Sequence, residues 1–518
     1  MPGIKKADIL LKSTNVFTAT NSKPIDGYVA ITNNIIIAVD AGDGTKHTNE
    51  STTIYNLVDK VVCPGFSDVH CFFTGYVLGL VGVDLSSQKK ISDVFSTVKK
   101  YNTTLTESDP ILAHGISPSI TPPSLEAMDD AFGSSATILF CENLETCWMN
   151  SAAINLYNFT PATCYPEAYW RLLKVVLSNK SYIVPQFKEY IKMLNRRGVT
   201  SIKEMGFDDF YGFTDFLEEL EKDNALNMRV HFMSQPVGEP ANLAYGLTMQ
   251  KRFQGDFVRF SGYNQMTDGS ISQLAGDLKS PYKCAPRCYC STSIDYDTIE
   301  QDVLALDAKG FRYSLHAQGD AAIYKVLNIL EKCKRNTNGK LVNRHSITDL
   351  EFSDPQDLER MGDLGVIAEI YPQIMSIADR KSKLAMIEEK IGIDRGRYYW
   401  NRRKMVDSGV LISCGTDLPL LIDDIPESIY CACGAFFPEG GEPFNPENTL
   451  TITELLTAWT HNGQYNLGRE KELGTLTEGK LADIAVLDMN IFKMPIEDIR
   501  DVKVCLTLIN GKVVHSTL

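Results

Sequence analysis

Val62-Cys63-Pro64-Gly65-Phe66-Ser67-Asp68-Val69-His70 carries an apolar β-like run through a Pro-Gly turn into a second apolar run that ends on an imidazole. Downstream, short β-like runs recur with helical stretches between them. They are Val199–Ile202, Met228–Phe232, Phe257–Phe260, Phe311–His316, Ser346–Asp349, Val366–Ile370 and Val410–Cys414. One intervening stretch, Ala321 to Lys334, sets Ile323, Val326, Leu327 and Leu330 on one helical face. With the first run this makes eight β units alternating with helices, the pattern of a (β/α)₈ barrel over residues 64–450. More than 120 residues separate the first two strands. An inserted subdomain, about residues 74–195, is expected there as a lid or pocket wall, with Thr137–Phe140 as a strand and helices near 166–195.

Both ends of the chain are β-like. Ile9–Leu11, Tyr28–Ile31 and Ile35–Val39 are separated by turns at Asp26-Gly27 and Asn33-Asn34. Ala482–Leu487 and Val502–Ile509 precede Asn510-Gly511, a strong hairpin signal, and Val513–His515. Neither end can bury a face alone, so residues 1–63 and 451–518 are expected to form one composite β-sandwich. Thr451-x-x-Glu454 is a capping box opening a helix.

The formal charge of −14 (51 Lys+Arg against 65 Asp+Glu) disfavours nucleic acid as a partner. No apolar run approaches the roughly 20 residues that span a bilayer, and no signal peptide is read at the start, so a cytoplasmic protein without a membrane partner is expected. Thirteen cysteines in 518 residues are too sparse for a disulfide framework. Cys284, Cys288 and Cys290 do not have a common zinc spacing and read as free thiols.

Only eight histidines occur, and two end barrel strands: His70 the first and His316 the fifth. Asp349 ends the sixth, and Asp417 follows the eighth in Gly415-Thr416-Asp417-Leu418-Pro419. Strand C-termini converge on one mouth, where barrel enzymes do their chemistry. His70, His316, Asp349 and Asp417 together offer mixed N/O ligands for one divalent ion, zinc or manganese. Such an ion would activate water and polarise a carbonyl.

The quoted stretch from Pro64 to His70 resembles the metal-binding entry motif of the amidohydrolase superfamily. Thr267-Asp268-Gly269-Ser270, His316-Ala317-Gln318-Gly319-Asp320, Gly415–Pro419 and Gly474–Asp488 follow in the family's order, and Asn150-Ser151-Ala152 fits within the insertion. The set resembles the branch that includes N-substituted formamide deformylase. The resemblance implies a hydrolase of small molecules and a homodimer. Several ligand positions depart from it. Phe72 stands where the family has the second histidine of His-x-His. Arg259 aligns with its carboxylated lysine, Asp349 with its sixth-strand histidine, and Glu145 with the insertion's histidine. Two standard metals are therefore not expected.

On this reading Asp417 serves as ligand or as general base. Asp349 is a fourth ligand or the partner of Arg259 or Arg344. Arg259 holds an anionic group or an oxyanion. Tyr263, His114 and Glu145 line the pocket or fill it with polar groups. Glu204, ending the second strand, is a candidate ligand or acid, or an ordinary loop salt bridge. Trp148 and Trp400 read as core. The expected activity is attack of activated water on a carbonyl of a small, possibly cyclic substrate, at a C–N amide or imide bond or the C–C bond of a cyclic 1,3-diketone. The alternatives are a metal-free lyase or isomerase using Asp349 and Asp417, and a binding protein that has lost catalysis.

Overall fold

The computed structural model describes residues 5–105, 110–142, 146–157, 180–206, 213–235, 240–420 and 425–518. Eight parallel strands follow one another around a barrel: Phe66–Cys71, Val199–Glu204, Arg229–Ser234, Val258–Met266, Tyr313–Ala317, Ser346–Asp349, Ile367–Ile370 and Leu411–Cys414. The ring closes just beyond the eighth strand. Asp417 N donates to His70 O at 2.8 Å, and Phe72 N donates to Leu418 O at 2.8 Å. All eight expected strands are present. Their outward side chains, among them Val230, Phe232, Leu315, Ile347 and Ile412, are buried in the main core, as parallel strands covered by helices require.

The lumen is polar instead of filled by branched apolar residues. Lys203 of the second strand forms an ion pair with Glu369 of the seventh, and both are fully buried. Arg312 reaches Glu369 at 3.2 Å, and Ser314 Oγ donates to it at 2.8 Å. The floor is closed by the helix His461–Asn466, which follows the capped helix Ile452–Trp459. Gln464 Nε2 donates to Ser67 Oγ and Ser201 Oγ, each at 2.8 Å. Asn466 Nδ2 donates to Glu369 Oε1 and Ser413 Oγ, each at 2.9 Å. The expected capping box is formed: Thr451 Oγ1 accepts from Glu454 N, and Glu454 accepts from Thr451 N.

Strands from both termini join in one continuous eight-stranded sheet. Val61–Pro64 pairs with Ile484–Leu487 at the seam. Its two halves share an apolar core that includes Leu11, Val29, Ile36, Ile484 and Leu506. Asn510 and Gly511 both take positive φ (53° and 73°), the two left-handed residues that a tight hairpin needs. A bidentate, buried ion pair clamps this sheet to the barrel floor: Arg229 Nε and Nη2 donate to Asp483 at 2.7 and 2.9 Å.

After the first strand and the helix Phe73–Leu78, the insertion builds a four-stranded sheet, in the order Cys147–Met149, Thr137–Cys141, Ile111–Ile116, Val83–Asp84. It has its own core around Leu85, Val98, Ile111, Leu139 and Trp148. The expected helices near 166–195 are represented by Lys180–Asn195; residues 158–179 lie outside the described residues. Among the described residues no helix is long and apolar enough to cross a membrane.

Candidate functional site

Two side-chain pairs face each other at the C-terminal mouth of the barrel. The first is His70 and Asp417. His70 is nearly fully buried, with its Nε2 3.7 Å from Asp417 Oδ1. Its other nitrogen, Nδ1, is 3.3 Å from Thr348 Oγ1 and 3.7 Å from Glu369 Oε2. Thr348 Oγ1 in turn meets Tyr371 OH at 2.8 Å. A carboxylate behind one ring nitrogen leaves the other free to take a proton, the arrangement of an oriented base. Burial lowers the affinity of His70 for a proton despite Glu369, so the ring is held neutral. Burial raises the Asp417 carboxyl well above the usual range, and the negative charge of Asp349 adds to this.

The second pair is His316 and Asp349. His316 Nε2 is 3.0 Å from Asp349 Oδ2, and its Nδ1 is 3.4 Å from Asp268 Oδ1. Burial opposes a charge on His316, but the two carboxylates outweigh it and hold the ring up to about 10. Gln318 Nε2 also donates to Asp349 Oδ2 at 2.9 Å. Asp268 is fixed by backbone N–H groups of Gln318, Gly319 and Asp277, each at 2.9 Å. Asp349 (φ 78°) and Asp417 (φ 53°) both sit in the left-handed region. That is a costly conformation for a residue with a Cβ, and it gathers at sites of function.

The four residues nominated as ligands therefore reach one mouth, as two pairs. His316 Nε2 is engaged by Asp349 at 3.0 Å, while its Nδ1 lies 3.4 Å from Asp268 without a hydrogen bond. Among the described residues the one group of three or more His, Cys, Asp or Glu ligand atoms lying within 4.8 Å of one another is Asp307, Cys333 and His345. The mouth thus does not fit a preformed four-ligand cage. Nor does the Asp307 group fit an ion. His345 Nδ1 accepts from Tyr313 N at 3.0 Å, so the neutral ring carries its proton on Nε2 and donates to Asp307 at 2.9 Å.

Other nominated residues lie elsewhere, and these are corrections. Arg259 is near the start of the fourth strand, away from the mouth. Its Nε donates to Gly255 O, and its guanidinium faces Glu472 at 3.7 Å. It therefore pairs with Glu472 and not with Asp349. Arg344 is held by Glu470, with two contacts of 3.0 Å. Asp349 has a histidine partner instead. Tyr263 points outward: its OH donates to Asn242 O at 2.8 Å, and its ring packs on Phe260 and Phe311. His114 belongs to the insertion sheet, where its Nδ1 meets Val81 O at 2.9 Å. Among the described residues Glu204 makes no salt bridge. It accepts from Phe73 N and Tyr190 OH, each at 2.8 Å, and burial pushes its carboxyl up to about 8. Trp400 is buried in the main core, as expected, and one edge of it meets Asp349 and Tyr371 at a small crevice. Glu145 lies outside the described residues. All twelve described cysteines are free, as expected for Cys284, Cys288 and Cys290.

The residues that the sequence reading passed over are Asp268, Glu369 and Lys203. Each had a signal. Asp268 stands within the quoted Thr-Asp-Gly-Ser motif, and Glu369 is a carboxylate in the apolar run Val366–Ile370. Lys203 follows directly on the apolar end of the second strand.

The chain is 24% identical to the Arabidopsis thaliana protein LONG AFTER FAR-RED 3 over 98% of this chain and 91% of that one. It is 26% identical to the N-substituted formamide deformylase of Arthrobacter pascens over 43% of this chain and 41% of that one. An uncharacterized metal-dependent hydrolase from Pyrococcus horikoshii shares the fold with a TM-score of 0.73, at 19% identity over 94% of this chain and 99% of that one. Residues 53–515 match the amidohydrolase family as a whole, and the chain belongs to that family of hydrolases.

Proposed function

We propose that this hydrolase cleaves a C–N bond of a small amide, formamide or cyclic imide by proton transfer between His70 and Asp417. The observation that carries the reading is the pair itself. A base oriented by Glu369 stands 3.7 Å from a carboxyl whose surroundings favour the protonated form. His70 takes a proton from water as the oxygen attacks the carbonyl carbon. Protonated Asp417 then gives its proton to the leaving nitrogen as the C–N bond breaks. Return of the proton from His70 to Asp417 resets the pair. The positive charge of His316, fixed by Asp268 and Asp349, favours the oxyanion electrostatically. Cleavage of a cyclic 1,3-diketone has less support, because Arg259, its enolate stabiliser, pairs with Glu472 away from the mouth.

A second reading keeps one zinc or manganese ion. It is favoured by structural relatives described as metal-dependent hydrolases, and it requires the two pairs to be drawn together around the ion. One experiment separates the readings. Purified protein is dialysed against chelator, its metal content measured, and hydrolysis followed on a panel of N-substituted formamides, anilides and cyclic imides. The proton-transfer reading expects turnover that survives metal removal and is lost in His70→Ala and Asp417→Asn. Activity that disappears with one equivalent of metal and returns on adding it back overturns that reading.

A further inference from the structure

Among the described residues, one side chain lies within hydrogen-bond distance of His70 Nδ1, the Thr348 hydroxyl at 3.3 Å. Glu369 stands behind the same nitrogen at 3.7 Å, beyond that distance. Its oxygens are taken by other donors. Lys203 Nζ, Arg312 Nη2 and Asn466 Nδ2 reach Oε1, and Ser314 Oγ reaches Oε2. Glu369 therefore acts on the imidazole by charge, and the Thr348 oxygen is the atom left to accept a hydrogen from Nδ1.

Thr348 is fully buried. Among the described residues its hydroxyl has two partners, His70 Nδ1 and the Tyr371 hydroxyl at 2.8 Å. Tyr371 is buried too, and its ring packs on that of His70 with centroids 5.3 Å apart. A threonine hydroxyl has one hydrogen to give. If that hydrogen goes to the phenol oxygen, Thr348 can only accept from His70, and the imidazole carries its proton on Nδ1. If it goes to His70, the proton sits on Nε2, and that nitrogen is neither base nor ligand. Glu369 decides between the two. A carboxylate held ionised by Lys203 and Arg312 attracts an N–H and repels a nitrogen lone pair. The phenol hydrogen is left for another acceptor, and the carboxylates acting on it most strongly are those of Asp417 and Asp349.

We propose that Thr348 and Tyr371 are positioning residues that fix His70 with its proton on Nδ1 and its lone pair on Nε2. Tyr371 takes the Thr348 hydrogen, so that Thr348 can serve His70 only as an acceptor. The proposal deepens the reading of His70 as the base, which needs that lone pair. A histidine ligand would need the same one.

The test reads the tautomer directly. Chelator-treated protein labelled with nitrogen-15 at its eight histidines is observed by NMR at a pH where the ring is neutral. The His70 signals are assigned by comparison with His70→Gln. In the wild type, Nδ1 should show the shift of an N–H nitrogen and Nε2 that of an unprotonated one. Tyr371→Phe removes the acceptor of the Thr348 hydrogen, which then turns to His70. The tautomer ratio should move about tenfold or more toward Nε2–H. Thr348→Val should move it about fivefold in the same direction. Thr348→Ser, which keeps the hydroxyl, should hold the wild-type ratio. A wild type protonated on Nε2 overturns the proposal. So does a wild-type ratio in Tyr371→Phe or Thr348→Val, or a Thr348→Ser protein that shifts as far as Thr348→Val. If Tyr371→Phe does not fold, the two Thr348 variants decide. The tautomer is read without turnover. The expected shifts in a protein that hydrolyses nothing in the panel above would overturn the proposed reaction and leave the positioning standing. Turnover with unshifted variants would do the reverse.

Discussion

The backbone N–H of Asp417 donates to the carbonyl of His70 at 2.8 Å, and the two side chains meet at 3.7 Å. The contact that closes the barrel is therefore also the contact that assembles the proton-transfer pair. Closure of the ring and alignment of the chemistry cannot vary independently.

That coupling is tested at the pair itself. Asp417→Asn and His70→Ala should each lower kcat/KM by about 10²- to 10⁴-fold, the usual worth of positioned acid–base groups. His70 works only when neutral, which sets an acid limb below its ordinary range. Asp417 works as an acid only while protonated, which sets an alkaline limb above the usual carboxylate range. The wild-type pH profile should be bell-shaped, with both limbs belonging to the coupled pair. The residual activity of Asp417→Asn should lack the alkaline limb; an unchanged profile would remove Asp417 from the mechanism.

Gly415 packs against the same strand end. A Cβ built there would lie 2.6 Å from the Cβ of His70. Gly415→Ala should displace His70 and lower kcat/KM by about 10²-fold, as small misplacements of a reacting group do. Circular dichroism should show an unchanged fold. Full activity in this variant would mean that the position of His70 tolerates movement.

His316 links the mouth to stability. Its pKa in the folded protein is raised to about 10 from 6.5. The folded state therefore binds the proton more tightly than the unfolded state. Its contribution is complete below pH 6.5 and is lost as pH rises through about 10. The amount at stake is on the order of 5 kcal/mol. The melting temperature of the wild type should fall between pH 7 and pH 10 by more than that of His316→Gln. Parallel curves would show that His316 is not held as a cation.

Beneath the mouth, Glu369→Gln leaves Lys203 and Arg312 without their shared carboxylate in a buried lumen. Breaking a buried pair from one side costs about 3–5 kcal/mol. Glu369→Gln should therefore unfold at markedly lower denaturant concentration, and Lys203→Met in the same chain should recover part of the loss. If the double variant is no more stable than the single one, Lys203 is not the source of the penalty.

The barrel was legible because its strands are short apolar runs alternating with helical stretches, and burial on both faces leaves that mark on a sequence. The mouth was legible because His70, His316, Asp349 and Asp417 fall at strand ends. Which of them would pair was not legible. His316 is claimed by Asp268, a residue 48 positions earlier, and that contact depends on how the loop after the fourth strand folds back. Arg259 misled for a related reason. It lies on a true barrel strand, but at the end of that strand where Glu472 waits, and a one-dimensional pattern does not tell the two rims apart. The polar lumen left single traces only, a carboxylate or an ammonium inside an apolar run, and its meaning emerges when strands two, five and seven are brought face to face.

The clamp between Arg229 and Asp483 joins a residue in the first half of the chain to one 254 positions later. On the ribosome, the third barrel strand emerges long before its counter-charge is synthesised. The seam Val61–Pro64 waits likewise for Ile484–Leu487. A nascent chain carrying a complete barrel would thus still hold an exposed seam and an uncompensated arginine at its floor. Emergence of Asp483 and Ile484–Leu487, not completion of the eighth strand, is the event after which the clamp and the seam can form.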